Sequence, residues 1–334
     1  MSRLLRRTLI GVGLGVVVYA VALIYFDART VADALQGFGW SAVLFALLAS
    51  SLNYLLRFAK WELCLRWLEI RGEGEGRAPQ LGLGRSFVIY IAGLSMSVTP
   101  GKVGEVLRSV LLKASDGVPF ARTAPIVVAD RATDLIALVL LSLVGVAQYR
   151  EILPWVIATA ILVGLGIVVL GSPKLFESLL RVGARLPAVG PLFSKAEAMV
   201  EASERVLRLR ALLPLTLLSV VGWGLECFGY WLILDAFPGV EAPLLPCVFA
   251  WAATTIVGAL SFLPGGLGAT EVSLGALVPK IAVGASAAVA VASTLLIRLC
   301  TLWFGVILGG IFLAAFMRDP KLRAQAELEA DSGA

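Results

Sequence analysis

The sequence predicts an all-α, polytopic membrane protein of about six spanning helices plus two re-entrant helical hairpins in an inverted repeat. Three observations predict it: an extreme apolar composition, long uninterrupted apolar runs, and a Pro-Gly break that occurs twice. Of 334 residues, 59% are hydrophobic and 15% charged, with a mean hydropathy of +0.91. That is far from the makeup of a soluble domain, so the bilayer is the expected solvent. The runs 8–26 and 152–171 are continuous rather than alternating, which selects helices of roughly 20 residues over β-barrel strands.

The expected full spans are 8–26, 40–67, 123–147, 152–172, 211–235 and 285–316. The basic start, Arg3 to Arg7, resembles a signal peptide, but the long run after it lacks an evident cleavage site. It is expected to stay as a first helix. Six crossings put both termini on one side. Two more apolar regions are split by Pro-Gly clusters, 85–113 at Pro100-Gly101 and 245–281 at Pro264-Gly265-Gly266. The piece from Ser86 to Val98 reaches only about 20 Å, short of a hydrocarbon core of roughly 30 Å. Both regions are therefore read as hairpins that enter and leave on one face.

Basic residues fix the orientation, because Lys and Arg collect in cytoplasmic loops. Loop 173–210 carries Lys174, Arg181, Arg185, Lys195, Arg205, Arg208 and Arg210, and the loop before the first hairpin carries Arg71, Arg77 and Arg85. Arg318, Lys321 and Arg323 follow the last span, whereas loops 27–39, 148–151 and 236–244 hold only Arg29 and Arg150. Cytoplasmic termini follow, with a short surface helix expected within 174–210. The net charge of +5 then reflects loops beside anionic headgroups, and no nucleic-acid partner is implied.

The motif Pro100-Gly101-Lys102-Val103-Gly104-Glu105 has a counterpart in Pro264-Gly265-Gly266-Leu267-Gly268, followed shortly by Glu271. Each copy has a buried-span arginine downstream, Arg131 after the first and Arg298 after the second. The chain thus divides into a first half, 1–150, a second half, 151–316, and a polar tail, 317–334. With the hairpins entering from opposite sides, the halves are inverted relatives. Such repeats recur in secondary transporters that hold substrate near the midplane.

A charge at the bilayer centre costs about 2.5 to 3.5 kcal/mol, so buried ones face a cavity or a partner. The candidate substrate-binding residues are Pro100, Gly101, Lys102, Gly104, Glu105, Arg108, Asp130, Arg131, Asp134, Glu226, Pro264, Gly265, Gly266, Gly268, Glu271 and Arg298. Spacing places Glu105 with Arg108, and Asp130 with Asp134, on shared helix faces. Thr99 and Thr270 are expected to cap the half-helices that follow the breaks, whose free N–H groups attract anions. Lys102, Arg131 and Arg298 would complete a cationic pocket, with Glu105, Glu271 and Asp134 holding those cations when it is empty. Structural alternatives stand beside these: Arg131 fastening helices through Asp130 or Asp134, and Arg57 and Lys60 reaching to the interface.

No histidine is present, and Cys64, Cys227, Cys247 and Cys300 lie in apolar segments without metal-ligand spacing. Catalytic residues, metals and cofactors are therefore not expected. The first break also lacks the G-x-x-x-x-G-K-(S/T) pattern of a nucleotide loop.

The runs LSMSVTPGKVGEVLRSVLLK, ADRATDL, LPGGLGATEVSLGALV and LLIRLCTLW resemble the flippase-like membrane domain of bacterial lysylphosphatidylglycerol synthases and their stand-alone relatives. The resemblance covers about 8–316. It implies a role in moving lipids such as aminoacylated phosphatidylglycerol between leaflets, in the bacterial inner membrane. Only about 17 polar residues follow the last span, a departure from the two-domain members that carry a soluble aminoacyl-transfer domain. The expected function is a flippase for an anionic or aminoacylated phospholipid or a polyprenyl-phosphate-linked lipid, with oligomers allowed. Three alternatives remain open on the residues alone: a proton-coupled carrier of a small anion, a transferase acting on lipid phosphate, and an accessory subunit.

Overall fold

The computed structural model describes residues 28–72, 77–78, 80–99, 105–146, 153–172, 174–175, 178 and 196–318. The expected span 8–26, the break residues Pro100, Gly101, Lys102 and Gly104, and the tail after Arg318 lie outside the described residues. Among those described, the structure is helical, with one isolated β-bridge between Glu241 and Val283.

A short helix, α1 (Ala28–Ala34), precedes α2 (Ser41–Trp67). Then come α3 (Leu83–Gly93), extended by a 3₁₀ turn over Leu94–Met96, and α4 (Leu107–Asp116). Next are α5 (Phe120–Val146), α6 (Leu153–Gly171), α7 (Ala196–Leu207) and α8 (Leu209–Asp235). The chain continues with α9 (Leu244–Leu260), α10 (Ala269–Ile281), α11 (Ala287–Arg298) and α12 (Phe304–Phe316). Helices occupy five of the six expected spans to within three residues at each end. The stretches Ser41–Trp67, Leu209–Asp235 and Ala287–Phe316 are long and apolar enough to cross a membrane by length and composition. Helix α5 is as long as α2, but it carries Arg122, Asp130, Arg131 and Asp134. These charges interrupt an otherwise apolar helix, and Asp130 and Asp134 are buried inside the bundle rather than at its surface.

The polarity of the bundle is inside out. Leu44, Leu48, Leu52 and Leu55 stand exposed along α2, Leu44 at 67%, while Asn53 and Lys60 of the same helix are buried. The same holds for Leu209, Leu213, Leu217 and Val221 on α8 and for Ile307 and Ile311 on α12. Apolar belts of this kind are unfavourable in water and suit a hydrocarbon solvent.

Helices α2 and α8 pack closely in antiparallel sense at the centre. At the end where α2 begins, Gly39 N donates to Ala236 O at 3.1 Å, and the rings of Phe38 and Phe237 lie 4.7 Å apart. That end also holds the Glu241–Val283 bridge, so both outer ends of the α9/α10 hairpin lie there. At the opposite end, Arg85 at the foot of α3 reaches Ser115 O at 3.3 Å and Asp116 at 3.4 Å on α4. Arg122 donates to Leu68 O there at 2.9 Å. The α3/α4 and α9/α10 hairpins thus open toward opposite ends of the bundle. Each leans on a long helix from the other part of the sequence, α3 on α12 and α9 on α5.

The loop expected over 27–39 contains α1, and the surface helix expected within 174–210 is α7. Helix α7 buries Val200, Ala202 and Val206 and turns out the i, i+4 pairs Glu201–Arg205 and Glu204–Arg208. Close approach fixes where α12 meets the first hairpin: a Cβ on Gly309 would collide with the backbone of Leu94 and Ser95. Gly309→Val is expected to destabilise the fold by about 1–3 kcal/mol, the usual cost of overpacking. Thermal unfolding followed by size-exclusion chromatography would measure it.

Candidate functional site

The two hairpin tips meet in the interior. A side chain built on Gly265 would stand 3.5 Å from Val98 Cα, and Val98, Leu267 and Val306 form one small apolar cluster. Gly265, Gly266 and Gly268 adopt positive φ of 60°, 68° and 86°, a backbone that glycine takes without strain. Gly266 also abuts Gly258 of α9, where a Cβ would come within 3.0 Å of its Cα. The turn therefore needs glycine both for φ and for space.

Each tip carries a glutamate bound to the arginine downstream of it. Arg131 of α5 makes a two-pronged pair with Glu105, with Nε to Oε2 at 2.7 Å and Nη2 directed at Oε1. Arg298, the last residue of α11, donates through Nε to Glu271 Oε1 at 2.7 Å and through Nη2 to Gly265 O at 2.7 Å. The second oxygen of Glu271 accepts from Gly268 N at 2.8 Å, so this carboxylate caps α10. The π-helical turn Leu299–Trp303 follows Arg298 directly. Such turns mark functional segments of helices, and here Thr301 O accepts from the Tyr54 hydroxyl at 2.5 Å.

Both arginines line one cavity of about 90 Å³, together with Glu105, Glu226, Gly265 and Thr270. That is room for several waters or one small polar group. Trp223 and Glu226 face it from α8, and Trp251 and Thr255 from α9. Glu226 accepts from Asn53 Nδ2 at 2.5 Å.

A second charged cluster lies beside the cavity and shares Arg57 with it. Lys60, only 2% exposed, sits between Asp130 at 2.5 Å and Asp134 at 3.0 Å and donates to Ser219 Oγ at 2.7 Å. Arg57 closes on Asp134 and lies 3.6 Å from Asp130. Arg108 stacks over the Tyr90 ring at 4.0 Å, with its Nη1 3.7 Å from Asp130. The cluster ties α2, α4, α5 and α8 together.

The structure sorts the expected site residues. It brings Glu105, Arg131, Glu226, Gly265, Gly266 and Arg298 to the cavity, with Glu271 and Gly268 directly behind Arg298. Pro264 opens the turn as its first residue. Pro100, Gly101, Lys102 and Gly104 lie outside the described residues. Asp130, Asp134 and Arg108 belong to the neighbouring cluster instead.

Several expectations are corrected. Arg131 pairs with Glu105 rather than with the aspartates of its own helix. Glu105 and Arg108 do not act as one face: Glu105 precedes α4 in a 3₁₀ turn and turns to the cavity, while Arg108 turns to Tyr90. Thr270 lies inside α10, and Gly268 with Glu271 takes the capping role. The Thr99 hydroxyl donates to Met96 O at 2.8 Å, and the half-helix start that it is expected to cap lies outside the described residues. Arg57 and Lys60 point inward instead of snorkelling. Glu105 and Glu271 do hold Arg131 and Arg298 as expected for the empty site, whereas Asp134 is taken by Arg57 and Lys60. Asn53, Tyr54, Trp223, Trp251 and Thr255 escaped the sequence reading. For Lys60 a signal was present: the i, i+3 pair Arg57/Lys60 matches the i, i+4 pair Asp130/Asp134 across two helices.

An inside-out helical bundle with paired charges around an internal cavity defines an α-helical membrane protein. The chain belongs to the family described as Lysylphosphatidylglycerol synthase TM region, which matches residues 9–309. It is similar to a UPF0104 membrane protein of Methanothermobacter thermautotrophicus, 26% identical over 315 residues, covering 87% of this chain and 90% of the other. A UPF0104 membrane protein of Pyrococcus horikoshii is 26% identical over 305 residues, covering 81% and 86% respectively.

Proposed function

We propose that the chain is a non-enzymatic lipid transporter that moves an anionic or aminoacylated phospholipid, or a polyprenyl-phosphate-linked lipid, between leaflets. In this reading it is a multi-pass protein of the inner membrane with cytoplasmic termini, and the two hairpins are re-entrant segments of an inverted repeat. Hairpins opening toward opposite ends of the bundle support that topology, as do the basic residues at the end where α2 finishes.

The observation that carries the reading is the pairing of Glu105 with Arg131 and of Glu271 with Arg298 around one cavity at the meeting hairpin tips. A phosphate entering this low-dielectric space competes with each glutamate for its arginine. Charge-assisted, bidentate contacts make arginine the fitting residue for that exchange. Each glutamate sits on a hairpin and each arginine on a long helix, so exchanging partners loosens a tip from its support. Loosening one tip opens the cavity to one side, the step that alternating access requires.

Lipid is favoured over a soluble anion by the surface beside the cavity. Phe262 and Leu263, next to the cavity-lining Gly265, are exposed, Phe262 at 72%. An apolar lip beside a polar pocket lets a headgroup enter while acyl chains stay in the bilayer. Reconstitution into liposomes with fluorescent lipids and a leaflet-selective quencher tests this. Lipid exchange well above that of empty vesicles is expected. Exchange equal to empty vesicles, together with a proton-linked anion flux, would replace the lipid reading by a solute carrier using Glu105, Glu226 or Glu271.

A further inference from the structure

The cavity has a third arginine. Arg57 of α2 lines it together with Arg131 and Arg298, and its guanidinium lies 5.6 Å from the ring of Trp223, a residue of the cavity wall. Unlike the other two, it holds neither hairpin glutamate. Its Nη2 closes on Asp134 and stands 3.6 Å from Asp130, both in the neighbouring cluster. Its Nη1 makes no hydrogen bond or ion pair with the described residues and, unlike Nε, is not closed off. One arm of the fork is anchored and the other is open.

The acids that anchor Arg57 do not depend on it. Asp134 keeps Lys60 at 3.0 Å and Ser219 Oγ at 3.0 Å, while Asp130 keeps Lys60 at 2.5 Å and Arg108 at 3.7 Å. Among the described residues the cluster sets three cations, Arg57, Lys60 and Arg108, against two acids, and Arg57 is the cation of the three that lines the cavity. Glu226 faces the same cavity, but it accepts from Asn53 and is not paired with Arg57. A surplus charge beside a low-dielectric space attracts an anion, and a guanidinium can serve two oxygen-bearing partners at once. We infer that Arg57 is the capture residue of the cavity: it takes an entering phosphate on Nη1 while Nη2 stays on Asp134, before Arg131 or Arg298 gives up its glutamate. This rests on the anion-binding reading of the cavity and orders its steps. Arg57 sets how tightly the phosphate is first held, whereas the Glu–Arg exchanges set how fast it moves on.

The test uses the full chain in maltoside detergent, with inorganic phosphate as the probe and calorimetry for its affinity. Arg57→Lys keeps a charge for Asp134 but has no second arm, and is expected to bind phosphate about tenfold more weakly than wild type, the worth of one charge-assisted hydrogen bond. Its melting midpoint should stay near that of wild type. If it fails to fold, Arg57→Gln/Asp134→Asn, which removes one charge of each sign, should show the same loss. In phosphatidylcholine liposomes carrying increasing phosphatidylglycerol, Arg57→Lys is expected to raise the lipid fraction at half-maximal exchange about tenfold, more than it lowers the maximum. Phosphate affinity within twofold of wild type in the folded variants, or a lowered maximum at an unchanged half-point, overturns the capture role alone. Absence of phosphate binding by wild type overturns the anion-site reading, and the capture role with it. Weakened phosphate binding in the variant, with no lipid exchange by wild type, upholds capture and assigns the site to free phosphate instead of a headgroup.

Discussion

Arg298→Ala is expected to reduce lipid exchange to the level of empty vesicles. Arg298 binds Glu271 and Gly265 O together, so its loss removes the phosphate ligand and the clamp on the second hairpin at once. The single variant also leaves a buried carboxylate uncompensated, and breaking a buried pair from one side costs about 3–5 kcal/mol. Some folded protein is therefore lost for reasons unrelated to transport. The double variant Glu271→Gln/Arg298→Ala separates the effects, because both charges leave together. Its monodisperse yield should recover toward wild type while exchange stays at background. Recovery of exchange along with yield would make Arg298 a structural cation. Arg131→Ala and Glu105→Gln/Arg131→Ala should behave in the same way at the first hairpin.

Lys60→Met is expected to be the most destabilising single change in the molecule. It strips the closest cation from Asp130, the second cation from Asp134 and the donor from Ser219, leaving Arg57 near both acids and Arg108 at 3.7 Å from Asp130. About 3–5 kcal/mol is the expected cost, read as a lowered midpoint in thermal or denaturant unfolding. Lys60→Met/Asp134→Asn removes one charge of each sign and should restore a large part of that loss. A single variant that melts with wild type would mean that water already reaches the cluster.

Much of the fold was legible because membrane helices announce themselves by continuous apolar runs, and their ends fall within three residues of the expected limits. The second break was legible for the same kind of reason: Pro264 and three glycines cannot continue a helix, and the chain leaves α9 at Leu260 and resumes at Ala269. The Glu–Arg pairs were half legible. A glutamate near each Pro-Gly break and an arginine downstream pointed to the right four side chains, yet Arg131 was weighed against nearer acids on its own helix. Sequence proximity misled there, since Asp130 and Asp134 are taken by residues 70 or more positions away on α2. Thr270 was misjudged as a cap because any Ser or Thr before an apolar run resembles one. Trp223 and Trp251 were not legible as cavity-lining, because a tryptophan in an apolar helix reads the same whether its ring meets lipid, core or cavity.

The central claim is that headgroups pass between two hairpin tips that touch in the closed state. It is tested most directly by tying the tips together through Val98→Cys and Leu267→Cys, partners in one apolar cluster, with the four native cysteines replaced. Lipid exchange in liposomes is then followed with and without reductant. The account predicts efficient disulfide formation, exchange reduced to background while oxidised, and full recovery on reduction. Unchanged exchange in fully cross-linked protein would contradict it.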